Sequence, residues 1–143
     1  MNIDPGELGL VVSPSTQVWG VVIDTSYDVG VATLVAFADG TTSLYYSTGG
    51  GILGSPEYGP LAEAGKAMVD LAGTFTNAMS PAEIIELPAI GQVRFTLLTY
   101  SRKLTAEVPE DSLVSGEHHL SRLYQSGRDA LRQLSVLNEK KRN

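Results

Sequence analysis

A turn, a short strand and a run of three glycines follow one another between Ala38 and Gly54, and they constrain the fold more than any other part of the chain. Asp39-Gly40 is a strong signal for a two-residue type I′ turn, which needs positive φ at both central positions. The flanking segments, 31–37 and 41–46, are rich in β-strand formers, so the sequence predicts a β-hairpin. Because segment 31–37 is apolar on both of its sides, we expect a central strand that is buried on both faces.

Gly49-Gly50-Gly51 follows the predicted hairpin and opens a loop that is long enough to be functional. Consecutive glycines are entropically costly, so they indicate unusual dihedral angles or the close approach of another group. Two interpretations are open: loop amides that face a phosphate or carboxylate, or tight packing where strand meets helix. The chain carries neither the phosphate-loop nor the dinucleotide-binding glycine pattern. The ligand hypothesis assigns these candidate binding residues: Ser47, Thr48, Gly49, Gly50, Gly51 and Tyr58.

The composition predicts one globular domain over residues 1–143, because 43% of the residues are hydrophobic and 18% are charged. We expect residues 1–16 to form an N-terminal arm and residues 138–143 to form a frayed, basic C-terminus. The chain contains no cysteine, which excludes disulfides and thiolate chemistry. It has no apolar run of membrane-spanning length and no basic signal-peptide start. We therefore expect a cytoplasmic protein with no membrane partner.

The charge distribution argues against a nucleic-acid partner. The net charge is −6, and the first 100 residues hold ten acids and only two bases, Lys66 and Arg94. An acidic surface of this kind repels the phosphate backbone of nucleic acids. The last 43 residues hold eight bases and six acids. The terminal Lys140-Lys141-Arg142 suits the C-terminus of a helix, where cations oppose the negative end of the macrodipole.

Hydrophobic periodicity predicts the secondary structure. In chain order, the predicted elements are strands at 17–24, 31–37 and 41–46, a helix at 61–79, strands at 92–100 and 104–108, and a helix that opens within 115–119. We also expect a helical turn at 82–85 in the connector. The order β-β-β-α-β-β-α predicts an α+β fold, in which two main helices pack on a mostly antiparallel five-stranded sheet.

The two predicted helices present different surfaces. The first is rich in alanine and glycine, so it can approach a sheet closely. The same small-residue face could serve dimerisation, although packing on the chain's own sheet is the default expectation. The second helix carries a continuous apolar stripe from Leu120 to Leu137, with Arg122, Arg128 and Arg132 on its other side.

The aromatic residues can be placed by strand alternation. Trp19, the only tryptophan, shares a face with the apolar residues two and four positions later, which predicts a core position. Tyr45 and Tyr46 are neighbours on one strand, so they lie on opposite faces of the sheet. Tyr58 and Tyr100 could line the end of the sheet near the glycine run, which would make a candidate ligand pocket or contact surface.

No catalytic or metal-binding constellation emerges from the sequence. His118 and His119 are adjacent, so their side chains point in different directions at a helix start and do not form a facing ligand pair. Asp24 and Asp28 flank a turn without a supporting partner for general-base catalysis. No G-x-S-x-G motif is present. We assign no catalytic residue and no metal ligand, and we expect no cofactor.

The run from Ala32 to Gly54, ATLVAFADGTTSLYYSTGGGILG, together with Val18-Trp19-Gly20, resembles a family of small bacterial proteins of undescribed function. The resemblance covers residues 17–137 and implies a common architecture, but it names no substrate and transfers no functional residue. In topology, the predicted order is also similar to profilin-like and roadblock/longin-type domains, which implies a protein-interaction platform that is often dimeric. Roadblock domains place two strands before the middle helix and three after it, whereas three and two are expected here.

The function that the sequence favours is a non-enzymatic protein-interaction or scaffold domain, which we expect to form a homodimer or to bind a protein partner. The motivation is a well-specified sheet with small-residue helix faces and no catalytic constellation. The alternative is a small-ligand protein, binding an anion or acting as an enzyme, that uses the Gly49–Gly51 loop with Ser47 and Thr48 as hydrogen-bonding groups.

Overall fold

A computed structural model describes residues 17–54, 57 and 59–142 of the chain. The predicted N-terminal arm, residues 1–16, lies outside the described residues. The strands are β1 Val18–Tyr27, β2 Gly30–Phe37, β3 Thr42–Tyr46, β4 Gly51–Leu53, β5 Ser80–Ala82, β6 Gln92–Thr99 and β7 Lys103–Pro109. The helices are α1 Gly59–Ala72, which continues as a 3₁₀ helix over Gly73–Ala78, then α2 Glu110–Val114 and α3 Ser121–Arg142.

The chain has the predicted α+β fold with an antiparallel sheet, but the described residues form seven strands and three α-helices rather than five and two. The strand order is β4-β3-β2-β1-β6-β7-β5, so four strands precede α1 and three follow the 3₁₀ helix. The added strands, β4 and β5, are three residues each. That length is too short for an alternating pattern to appear in the sequence, and the five-residue α2 escapes periodicity for the same reason.

The β2–β3 turn differs from the predicted type I′ geometry. Gly40 has a φ of 95°, whereas Asp39 does not have positive φ. The Gly40 N–H donates to Phe37 O (2.9 Å), and the Phe37 N–H donates to Thr41 O (2.9 Å). The loop therefore has three residues and places one glycine in the left-handed region after a tight turn. The Asp39 carboxylate accepts the Thr41 N–H (2.8 Å), which is typical of aspartate in turns.

The hydrophobic core lies on the side of the sheet that faces α1 and α3, which we call the helix side. In the register of the sheet, Ile23 on β1 lies opposite Leu34 on β2 and Phe95 on β6, and Leu34 lies opposite Leu44 on β3. All four are buried. Burial of each such side chain contributes about 1.5–3 kcal/mol to the free energy of folding, so this row is a main source of cohesion.

Small residues let α1 approach the sheet closely, as expected from its composition. A Cβ built at Gly65 would overlap the Thr42 hydroxyl and would lie 3.2 Å from Gly40 O. A Cβ at Gly40 would lie 2.9 Å from the Ala62 Cβ. Ala62 and Gly65 are buried against the β2–β3 turn, so these small residues of α1 pack on the chain's own sheet.

Two segments differ from the sequence prediction. The helical turn expected at 82–85 is absent; residues 80–82 form β5 instead, where Pro81 is tolerated because the strand is at the edge of the sheet. The last helix begins at Ser121 rather than within 115–119. Before it, Gly116 has a φ of 81°, and His118 Nδ1 accepts the Leu120 N–H (3.0 Å). A side-chain acceptor just before the helix satisfies one of its free amides.

The prediction that segment 31–37 is buried on both faces is wrong. Leu34 and Ala36 on the helix side are buried, but Val35 and Phe37 on the other side are half-buried. Both long helices pack on the helix side, and the described residues place no helix on the opposite face. This second face, which we call the open face, carries Trp19, Val22, Asp24, Thr33, Val35, Phe37, Arg94, Thr96, Leu98, Thr105 and Glu107.

We expect Gly65→Ala to lower the free energy of unfolding by about 1–3 kcal/mol, because the added methyl group overpacks the contact with Thr42. The same change elsewhere in a helix normally stabilises it by about 1 kcal/mol. Gly73→Ala is the matched control, since a Cβ there meets no atom within 4 Å. Urea unfolding measures both. Equal stability of the two variants would contradict the close approach of α1.

Candidate functional site

The glycine run forms a hairpin turn between β3 and β4 rather than a loop between a strand and a helix. The Gly49 N–H donates to Tyr46 O (3.0 Å), and the Tyr46 N–H donates to Gly50 O (3.1 Å). Gly49 and Gly50 have φ values of 114° and 84°, which favour glycine. Gly51 has negative φ, but a Cβ there would overlap Leu44 O on β3. Backbone conformation or close packing therefore explains why glycine occupies each of these three positions.

Some of the predicted ligand-binding groups near this turn already have hydrogen-bond partners within the chain. The Ser47 hydroxyl accepts the Val31 N–H (2.8 Å), and the Ser47 N–H donates to Val31 O (2.9 Å). Thr48 packs beside Gly30, where a Cβ would lie 3.2 Å from the Thr48 methyl group. Tyr58 lies outside the described residues. The anion hypothesis for this turn stays a prediction, and two of its candidate donors, the amides of Ser47 and Gly49, are used by the hairpin.

An aromatic cluster lies at one end of the open face. The Trp19 ring stacks on Phe37 at a centroid distance of 6.0 Å, and Tyr100 lies 6.3 Å from Trp19. The prediction that Tyr100 lies near the glycine run is therefore wrong, because Phe37 and the glycine run are at opposite ends of the sheet. The core position predicted for Trp19 is wrong, because the register of β1 with β6 shifts between Val18 and Gly20. A bulge of this kind redirects a side chain, and Trp19 is half-buried on the open face instead.

A polar row crosses the centre of the open face. Asp24 on β1 lies between Thr33 on β2 and Arg94 on β6, and Arg94 lies opposite Glu107 on β7. The Thr33 hydroxyl donates to Asp24 Oδ1, and Arg94 forms a salt bridge with Glu107 and donates to the Thr105 hydroxyl (3.0 Å). Burial raises the pKa of Asp24, while the bond from Thr33 and the charge of Arg94 lower it.

Two buried polar atoms next to this row, Arg94 Nε and Thr96 Oγ1, have no hydrogen-bond partner among the described residues. Thr96 is only 3% exposed. A buried polar group without a partner costs about 1–3 kcal/mol, and such groups are rare in native proteins. The open face is therefore less well satisfied than the helix side.

A groove of about 440 Å³ lies on the helix side, between α3 and the ends of β1, β2 and β3. Its floor is apolar and includes Leu34 and Leu44. Gly127 on α3 lines it as well, and a Cβ there would lie 2.9 Å from Ile23 Cδ1, so the helix crosses the sheet closely at this point. Tyr27, at the end of β1, forms part of the rim and is 46% exposed.

Tyrosine and arginine side chains give the groove its polar character. Tyr124 is buried and donates to Glu110 Oε2 (2.6 Å). Burial and this hydrogen bond raise the pKa of Tyr124 to about 12. Burial and the nearby Glu110 charge also raise the pKa of Tyr27. The Arg128 guanidinium lies 5.9 Å from the centre of the Tyr124 ring, within the range of a cation–π interaction.

The described residues differ from the arrangements that metal binding and catalysis by a tyrosine base require. They contain no group of three or more His, Cys, Asp or Glu side chains placed to hold a metal ion. The prediction that the His118 and His119 side chains point in different directions is wrong, because their rings stack at a centroid distance of 4.4 Å. Burial and the neighbouring His119 lower the pKa of His118. The raised pKa values of Tyr27 and Tyr124 are the opposite of what a tyrosine base requires. No described helix is both long enough and apolar enough to span a membrane.

Comparison with family models, with curated proteins and with solved structures returned no match for this chain. The resemblance noted from the sequence therefore depends only on the residues that carry it.

Sequence reasoning did not bring the residues of the groove together, and it placed Arg128 and Arg132 on the side of the last helix away from the apolar stripe, whereas both line the groove. Arg128 and Arg132 are spaced by four, which places them on one face of a helix, and this spacing is the signal that could have been found. Tyr46 was correctly separated from Tyr45: it lines the groove on the helix side, while Tyr45 lies on the open face. The packing of α3 against the ends of three strands, which creates the groove, has no local signature.

We expect Thr96→Val to raise the free energy of unfolding by about 1 kcal/mol. Valine has nearly the same shape and removes a buried hydroxyl that has no partner. Thr33→Val, on the same face two strands away, is the control and is expected to lower stability by about 1 kcal/mol, because the Thr33 hydroxyl donates to Asp24. Urea unfolding at neutral pH compares them. A destabilising Thr96→Val would show that the hydroxyl has a partner in solution.

The Tyr124–Glu110 hydrogen bond predicts a specific loss of stability at high pH. The folded state holds the Tyr124 proton up to a pKa of about 12, whereas the unfolded state releases it near the ordinary tyrosine pKa of 10.0. The contribution of this hydrogen bond to the free energy of unfolding is therefore fully present below pH 10 and is lost as the pH rises toward 12. Tyr124→Phe is expected to be about 1–2 kcal/mol less stable at pH 8, and its difference from wild type shrinks across this window.

Urea unfolding at several pH values tests this prediction, with Tyr45→Phe on the open face as the control. If the Tyr124→Phe and wild-type curves stayed parallel from pH 9 to pH 12, the bond to Glu110 would not be the cause.

Proposed function

We propose that this protein is a non-enzymatic interaction domain that forms a homodimer through the open face of its sheet. The main support is the composition of that face. A sheet face that meets water normally alternates to polar residues, whereas here large apolar side chains stand on the three central strands. They are Trp19, Val22, Val35, Phe37 and Leu98. A contiguous apolar surface of this kind is typical of a protein–protein contact.

The open face spans enough of the sheet for a contact of modest size. The five neighbouring strands β3, β2, β1, β6 and β7 are spaced by about 4.8 Å. Along the strands, the face extends over about eight residues of roughly 3.3 Å each. The projected area is therefore about 600 Å². A standard interface buries about 800 Å² per partner, and Asp24 and Thr96 on this face are already buried within the chain, so the proposed contact is at the small end of that range.

The edges of the sheet favour face-to-face association over edge pairing. Both edge strands, β4 and β5, are three residues long, and β5 contains Pro81. Short strands and proline are common features of edges that do not pair with another chain. A partner is therefore expected to pack on the open face and not to extend the sheet.

The polar row supports a second copy of this chain as the partner. A two-fold interface has to be self-complementary, because both copies contribute the same surface. If one residue of the first copy contacts a second residue of the other copy, the reverse contact also forms. Asp24 and Arg94 are directly opposite each other on the two central strands. If a two-fold axis runs parallel to the strands between Asp24 and Arg94, the Asp24 side of one copy lies over the Arg94 side of the other. Opposite charges then face each other while the apolar residues on both sides of the row come into contact.

We expect the wild-type protein to be dimeric, and Val35→Glu to raise the dissociation constant by about tenfold or more, which corresponds to about 1.4 kcal/mol. A carboxylate at the centre of the open face opposes the burial of this surface. Ala67→Glu on the exposed side of α1 is the matched control. Sedimentation equilibrium over a dilution series gives the constants, and circular dichroism checks that both variants fold.

Trp19 provides an independent signal for the same experiment, since it is the only tryptophan and lies beside the interface. Its emission should shift to longer wavelength on dilution of the wild type. A monomeric wild type at all concentrations, or a dimer that Val35→Glu and Ala67→Glu affect equally, would overturn the proposal.

A further inference from the structure

We propose that the groove between α3 and the ends of β1, β2 and β3 is a binding site for a small amphipathic carboxylate. The apolar body of the ligand lies on the floor of the groove, and its carboxylate pairs with Arg128 and Arg132. The groove lies on the helix side of the sheet and not on the open face, so this proposal and the proposed dimer stand or fall independently.

The apolar part of the ligand is indicated by the floor and the volume. Leu34, Leu44 and Leu131 line the groove together with Ile23 and Ala32. Leu131 and Ala32 are only partly buried, so they gain further burial when a ligand covers them, at about 25 cal/mol for each Å² removed from water. The volume of about 440 Å³ is within the range of small-molecule sites.

The anionic part is indicated by the arginines. Arg128 and Arg132 are one helical turn apart and both line the groove. Among the described residues, Arg128 forms no salt bridge, while Arg132 pairs with Asp129 (3.0 Å) at a site where both side chains are about two-thirds exposed. An exposed pair of this kind is weak, so a ligand carboxylate can replace it. Guanidinium groups bind carboxylates through paired hydrogen bonds.

The nearby acid does not cancel this positive charge at the groove. Glu110 does not line the groove and accepts the hydrogen bond from Tyr124. Tyr124, in turn, lies beneath the Arg128 guanidinium, which supports the position of that side chain. On a chain with a net charge of −6, two arginines side by side above an apolar floor are a local exception that favours an anion.

The tyrosines add shape and hydrogen-bonding groups to the rim. Tyr27 and Tyr46 line the outer end of the groove, and both are nearly half exposed. Tyr27 keeps its proton well above neutral pH, because burial and Glu110 raise its pKa. A protonated hydroxyl can donate to a carboxylate, and the ring can pack on the apolar part of the ligand.

Isothermal titration calorimetry with sodium octanoate tests the site, with 1-octanol and sodium acetate as the matched neutral and short-chain probes. We expect octanoate to bind about tenfold or more tightly than either probe, and added salt to weaken the binding. Arg128→Gln and Arg132→Gln are each expected to weaken octanoate binding about tenfold. Arg122→Gln is the control, because Arg122 lies on the same helix and does not line the groove.

A second variant tests the location of the apolar body. Ala32→Phe places a ring over the floor of the groove from β2, where aromatic residues suit a strand. It is expected to abolish octanoate binding while urea unfolding still reports a cooperative fold. Equal binding of octanoate and octanol, equal effects of Arg122→Gln and Arg128→Gln, or full binding by Ala32→Phe would each overturn the proposal, as would no measurable binding of octanoate.

Discussion

Packing of α1 and α3 against the helix side of β1 and its neighbours is the interaction on which the rest of the structure depends. The row Leu44–Leu34–Ile23–Phe95 brings buried side chains from four adjacent strands under these helices. Close approach is possible because Gly65 and Gly127 leave no Cβ at the two contact points. Among the described residues, the two long helices cover one side of the seven-stranded sheet, and the packing that forms the core also forms the groove.

The two surfaces that remain differ in physical character, and this difference separates their proposed roles. The open face is broad and carries apolar side chains on both sides of a polar row whose charges are largely paired within the chain. A surface of that kind suits a large, flat partner. The groove is concave and small, and Arg128 has no ion pair there among the described residues. A concave site with a few convergent polar groups suits a small ligand.

Much of the secondary structure could be predicted from the sequence, and the misses have physical causes. The long strands and both long helices were found because their side chains repeat with a regular period. β4, β5 and α2 were missed because three to five residues hold less than two periods. Trp19 was assigned to the wrong face because a bulge interrupts strict alternation. The glycine run was correctly read as special, but its reason is a hairpin turn and the close approach of Gly51 to β3.

The sequence by itself determined which segments form strands and helices, because backbone preferences and side-chain periodicity act over a few neighbouring residues. It also carried the first sign of the open face, since segment 31–37 is apolar on both of its sides. Only the tertiary structure decided which side α1 and α3 cover, and that choice brought Arg128 and Arg132 next to Tyr46, more than eighty residues earlier in the chain. Such contacts depend on packing between distant segments, and no local pattern encodes them.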